Sequence, residues 1–376
     1  MEISYNIIPT DFKGERCYVH ARGFIAPTGD GIMTLQKLEL SGCDLFDGIE
    51  LMKTSDFGKT FTSPTPCEKL KKICLDDGTS YVMCDATPFY HKATGKILIF
   101  GHMARYDEDG NVLRLMKRCF PLYALYDEEK GEFNSFRIIE IPEREDGEYF
   151  RAGSGCVQAV ENESGEILLP MYFMSYEAMA DGEPCFSSAV VRCTFNGESI
   201  QAVEVGNHLT TDVPRGLYEP SVVKYKNEYF LTLRNDVTGH VTKSSDGLHF
   251  DKPIELCFDD GESLGNYNTQ QHWLTGGGKL WLVYTRRAGN NDHVFRHRAP
   301  LFIAEFDPET MRVLRSTEKI AVPERGARLG NFGCQSFSED KGYIFAAEWM
   351  QNHPYGLESC TSRGSDNSIF VSTVIY

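Results

Sequence analysis

Apolar and polar positions along the chain repeat one short figure. A run of alternating Val, Ile, Leu, Phe and Tyr breaks at a few polar or glycine residues, and a second run then returns. Alternation with a period of two, bounded by such breaks, predicts two antiparallel strands joined by a tight turn. The clearest copy is Leu217–Asp236, LYEPSVVKYKNEYFLTLRND. Val222–Tyr225 runs into Lys226-Asn227-Glu228, and Tyr229–Leu233 runs back. Pro220 suits a strand's first residue, where no ladder N–H is missed. The residues before the first strand and after the second share one end of the hairpin, which sets Glu219 beside Arg234 and Asp236.

The figure recurs from His20, Asp85, Gly155, Glu219, Gln270 and Asn331, roughly sixty residues apart. A weaker strand pair follows each copy, as in IELMKTSDFGKTFTSP and HVTKSSDGLHFDKP, and the last copy keeps only SIFVSTVIY. Four strands per repeat, six repeats and almost no helical periodicity predict an all-β fold. The expected architecture is a six-bladed β-propeller with four-stranded antiparallel blades, one domain spanning 1–376. Ile3–Ile8 is expected to supply the outer strand of the last blade and close the ring.

Two turns carry a second signature. Thr54-Ser55-Asp56-Phe57-Gly58-Lys59-Thr60-Phe61 fits S/T-x-D-x-G-x-T-W/F, the Asp-box or BNR repeat, and Ser244–Phe250 is a copy one residue shorter. In such a turn Asp accepts backbone N–H bonds and Gly takes positive φ. With these turns and the Glu219…Arg234 hairpin, the chain resembles the sialidase-like superfamily of six-bladed propellers. The resemblance implies that Asp56 and Asp246 are structural and lie opposite the active face. It implies three arginines for a substrate carboxylate, a Tyr–Glu nucleophile pair and an Asp general acid. Glu219 and Arg234 match the Glu and the second Arg, and Arg286 or Arg287 the third. Arg22, in His20-Ala21-Arg22, stands near the first, and Asp44 or Asp47 about where the acid belongs. The chain departs from the pattern in the last blade, where Gln335-Ser336 stands in place of Tyr-Ser.

If the six hairpins run alike, their rim residues form a ring around the axis. The candidate catalytic groups on it are Glu219, Asp85, His272 and His20, with Asp85 and His272 as candidate acids opposite Glu219. Arg22, Asp44, Arg234, Gln271, Arg287, His102 and Asn331 are the candidate substrate-binding groups. Convergent donors and a bidentate guanidinium suit an oligosaccharide or acidic sugar. Three functions follow: a glycoside hydrolase with Asp and Glu around the sugar, a lyase in which His20, His102 or His272 takes a proton, or a glycan-binding propeller without catalysis.

Charge narrows the partners. Lys plus Arg number 38 against 54 Asp plus Glu, a net charge of −16, which disfavours nucleic acid. The basic, aromatic segment His293–Arg298 is read as a lid over the pocket. No HExxH or paired-His helix is present, so no metal or cofactor is expected, although His20, His102, His272 and His297 would suit a metal if the fold gathered them. No apolar run is long enough for a membrane span. The twelve cysteines, Cys43 among them, stand singly. Without a leader-like N-terminus they are expected to be reduced, buried hydrophobes of a cytoplasmic protein.

Overall fold

The computed structural model describes residues 1–40, 44–113, 117–180 and 185–376. Strands hold 48% of the chain and helices 5%, so the alternation, and no helical pattern, governs the fold. Six antiparallel sheets form the blades of a propeller. The first blade is Arg16–Ile25, Gly31–Glu39, Glu50–Thr54 and Thr65–Pro66, in that order outward from the axis. The last is Gly333–Ser338, Lys341–Ala347 and Ile369–Ile375, completed by Glu2–Ile8 from the N-terminus. That closing strand pairs in unbroken register from Glu2↔Ile375 to Ile8↔Ile369, as the alternation of Ile3–Ile8 predicts.

One blade departs from the repeat. In the third, the inner strand is broken into Arg151–Gly153 and Val160–Glu161, both paired with Ile167–Met174. Cys156 lies in the break at φ 59°.

The apolar side chains fill the seams between blades. Ile25, Met33, Phe345 and Val371 join the first blade to the last. Leu98, Phe100, Met171 and Val191 join the second to the third, and Phe230, Trp273, Leu282 and Phe306 the fourth to the fifth. The fully buried Trp273 also donates its indole N–H to Ser221 O at 3.0 Å, fastening two blades by area and by a hydrogen bond. With apolar surface consumed in the seams, the axis is left to polar side chains.

The two patterned turns sit at the end of their blades away from the ring. Asp56 accepts from Thr60 N at 2.9 Å and Thr60 Oγ1 at 2.7 Å, and Phe57 N bonds Gly29 O in the neighbouring hairpin turn. Asp246 accepts from Leu248 N and His249 N, both at 2.8 Å. Of the cysteines, the eleven described are unpaired, and Cys43 lies outside the described residues. Cys74 and Cys185 are exposed, against the expectation of burial; Cys74 ends a two-residue strand and Cys185 is the first residue of Cys185–Phe195.

The bonds from Thr60 hold the Asp56 carboxyl down to about 2. Its contribution to stability is therefore complete above the unfolded carboxylate value of about 4 and is lost as pH falls toward about 2. Asp56→Ala is expected to lower the thermal midpoint at pH 7 and to narrow that gap at pH 2, with any turnover per folded molecule unchanged. Calorimetry at the two pH values checks it.

Candidate functional site

In five of the six blades the residue nearest the axis holds a left-handed backbone. His20, Asp85, Cys156, Glu219 and Asn331 have φ of 61°, 55°, 59°, 47° and 62°. Three of them sit in register breaks of the inner hairpin, between Val19 and Arg22, Cys84 and Thr87, and Tyr218 and Ser221. A bulge re-aims one side chain out of the sheet, here toward the axis. Such φ values cost non-glycine residues about 1–3 kcal/mol each and collect at functional sites. Pro220 is tolerated inside the fourth-blade bulge, where no ladder N–H is required.

Around Asp85 the ring is tightly knit. Its Oδ1 lies 3.0 Å from His20 Nδ1, 3.3 Å from Arg22 Nη2 and 3.3 Å from Asn331 Nδ2. Its Oδ2 faces His102 Nδ1 at 3.6 Å. Asn331 Nδ2 also reaches His20 Nε2 at 3.0 Å, and Gln36 Oε1 accepts from Asp85 N at 2.8 Å. Burial would raise the Asp85 carboxyl, but His20, Arg22 and His102 outweigh it and hold it well below the usual carboxylate range. An ionised Asp85 does not serve as the general acid that its position in the sequence suggests.

The opposite arc is cationic. Arg234 Nη1 spans both Glu219 oxygens at 2.6 Å, its Nη2 donates to Asn268 Oδ1 at 2.7 Å, and its guanidinium lies 4.5 Å over the Tyr218 ring. Arg298 is 3% exposed, donates through Nε and Nη2 to Asn268 O, and reaches Asn331 Oδ1 at 3.5 Å. Gly330 leaves it room, since a Cβ there would stand 2.6 Å from Arg298 Cδ. Arg328 stacks 3.8 Å over Trp349. Burial, then Arg234, Arg328 and Arg296, hold the Arg298 guanidinium well below its ordinary value, opposed by Glu219. Its hydrogen bonds all end on neutral acceptors, and among the described residues no carboxylate pairs with it.

The expected site residues thus divide. Glu219, Arg234, Asp85, His20, Asn331 and His102 converge on the axis. Asp44 lies on the rim and acts electrostatically on His102. Arg22 is fully enclosed and braces Asp85 from below. His272 belongs to the core: it is 1% exposed, its Nδ1 lies 2.9 Å from Ser221 Oγ, and its ring packs on Phe332. Burial and then Arg22 push its imidazole down to about 3, so it is neutral at pH 7 and cannot donate as an acid there. Gln271 is buried in a blade seam, with Nε2 on Thr269 O at 2.8 Å. Arg287 projects to solvent and pairs with Asp292 at 3.1 Å, while Arg286 is held by Glu318. Arg298, from the segment read as a lid, is an arginine that does reach the ring, at Asn331. Gln335 clasps Ile25 N and O across the last seam at 2.8 and 2.7 Å, and the ring position of its blade belongs to Asn331. His20, His102, His272 and His297 do not gather, and among the described residues no group of three His, Cys, Asp or Glu is placed to hold a metal.

No family model matches the chain, and no curated protein matches it. Solved structures share its fold. A Dyadobacter fermentans protein of unknown function superposes with a TM-score of 0.67 at 14% identity, covering 100% of this chain and 99% of that one. The Trypanosoma rangeli sialidase bound to the inhibitor DANA gives 0.63 at 13%, covering 99% of this chain and 59% of its own. A Hadza microbial sialidase gives 0.62 at 12%, covering 95% and 65%. The chain therefore spans about three-fifths of the sialidases' length and shares their propeller fold.

A neutral, buried His272 makes acid stability testable. The unfolded chain binds its proton below about pH 6.5, whereas the folded chain does so only near 3. Stability therefore falls as pH drops through that window. His272→Asn, which keeps a polar atom near the Nδ1 position, is expected to flatten the decline in midpoint between pH 6.5 and pH 5. Thermal melts across those values check it.

Proposed function

We propose that this chain is a carbohydrate-active enzyme that holds a carboxylate-bearing sugar over the propeller axis and hydrolyses its glycosidic bond. The observation that carries this reading is Arg298. It is a buried guanidinium pressed by three other cations, and Glu219, the carboxylate that acts on it, is already spanned by Arg234. A ligand carboxylate would relieve that excess, and guanidinium forks suit its two oxygens. The fold is shared with a Trypanosoma rangeli sialidase solved with sialic acid, a carboxylated sugar. Glu219 stands on the axis side of Arg234, where a carboxylate stabilises positive charge developing on a sugar ring.

Elimination is the second reading. It is favoured by His102, the most open imidazole on the ring, which would take a proton from the carbon next to the carboxylate.

A panel of carboxylated glycans separates these outcomes. New reducing ends without unsaturation support hydrolysis. The ultraviolet absorbance of an unsaturated uronate supports elimination, and affinity without any product leaves a binding propeller. Arg298→Lys keeps the charge and loses the fork. It is expected to weaken binding of carboxylated glycans about tenfold, in the range of a charge-assisted hydrogen bond, and to leave neutral glycans unaffected. Titration calorimetry on both classes checks it, and equal affinity of the variant and the parent chain would remove Arg298 from the site.

A further inference from the structure

His102 is the histidine of the ring that has both a carboxylate behind it and open space before it. It stands on Lys96–Tyr106, the second strand of the second blade, opposite Cys84 and Pro121. Its Nδ1 faces Asp85 Oδ2 at 3.6 Å, a gap that a small tilt of the ring closes to a hydrogen bond. About a quarter of the side chain, 26%, remains accessible, against 2% for His20, whose Nε2 already meets Asn331.

The chain keeps this space clear. A Cβ at Gly155 would collide with His102 Nδ1 and stand 2.9 Å from Asp85 Cβ, and one at Gly153 would stand 2.7 Å from His102 Cβ. Neither glycine has a positive φ. Their lack of a side chain therefore answers to the imidazole beside them, and not to a backbone need. Nδ1 is thus the enclosed nitrogen of the imidazole, turned to Asp85 and Gly155.

We propose that His102, oriented by Asp85, is the catalytic base that activates water in the reaction proposed above. The proposal rests on that reading of the axis as a sugar-hydrolysing site. Asp85 takes the Nδ1–H, so Nε2 offers its lone pair. Nε2 removes a proton from water as the water oxygen bonds to the anomeric carbon. The bond from that carbon to the leaving oxygen breaks with its electron pair, and the leaving oxygen is protonated from solvent. The imidazolium then returns its proton to solvent, so no oxidant or further reactant is consumed. Burial outweighs Asp85 and lowers the imidazole below its ordinary value, which keeps Nε2 unprotonated at neutral pH. The charged groups facing it are Asp85 on its own blade, Arg151 on the third, Glu219 on the fourth and Asp44 on the rim loop. Tyr172 lies beside it at 6.4 Å between ring centres.

The test uses the full chain with the 4-methylumbelliferyl glycosides of sialic acid and glucuronic acid. His102→Ala is expected to lower kcat by about 10²-fold or more, with KM nearly unchanged. Added imidazole should restore part of that loss, and the acid limb of kcat/KM should vanish. Asp85→Asn, a positioning change, should lower kcat and move that limb. Turnover of His102→Ala within a few-fold of the parent, or an unsaturated product, overturns the proposal. If neither glycoside is bound or turned over, the functional reading fails. The dyad is then judged by nitrogen NMR of the parent chain. Protonated Nδ1 and bare Nε2 at pH 7 support it, and the opposite tautomer overturns it.

Discussion

Everything at the axis follows from where the apolar surface goes. Each blade is a twisted sheet that must cover both faces, and a closed ring covers them by pressing neighbours together. Phe345 against Ile25 and Trp273 against Phe230 and Phe306 are examples of these seams. Burying a large aromatic is worth about 1.5–3 kcal/mol, so the seams supply the driving force for the ring. The inner strands' axial ends contribute little to it, and they are free to carry strained backbones and charged side chains. The pairing of Glu2–Ile8 with Ile369–Ile375 then supplies the outer strand of the last blade.

The price of that freedom is visible in the backbone. His20, Asp85, Cys156, Glu219 and Asn331 all hold positive φ, and none is a glycine. A glycine would relieve the strain but present nothing to the axis. Asp85 repays its conformation by gathering His20, Arg22 and Asn331 on one oxygen, leaving the other toward His102. Glu219 does so by fixing Arg234. Strain, burial and ion pairing thus meet at the same residues, and each depends on the seams staying closed.

The repeat was legible because period-two alternation and turn chemistry are local properties. Five of the six hairpins, the closing strand and the Glu219–Arg234 pair follow from them. What was not legible depends on distance through space. Arg298 lies in an irregular segment with no repeat to place it, and it reaches the ring past Gly330, a relation between residues of different blades. Arg287 resembled a strand-end arginine but leaves the ring because Asp292, five residues on, holds it outward. His272 and Gln271 begin a hairpin as Glu219 does. The strand there, His272–Gly276, pairs without the register break that turns Glu219 inward, and His272 faces Ser221 and Phe332. In the third blade a broken strand replaced the expected hairpin, and nothing in its alternation announces the break.

The division of charge around the ring bears on how a substrate would lie. Arg234 comes from the fourth blade, Arg298 from the segment between the second and third strands of the fifth, and Arg328 from the segment before the inner strand of the sixth, whereas Asp85 and His102 belong to the second. On the reading proposed above, a carboxylate on the guanidinium arc would turn the remainder of its sugar toward Asp85 and His102. Glu219 lies between the arcs, spanned by Arg234 on one side and acting on His102 from the other. At the last blade's ring position stands Asn331, whose amide ties His20 to Asp85. On the hydrolytic reading proposed above, water beside His102 would supply the attacking oxygen.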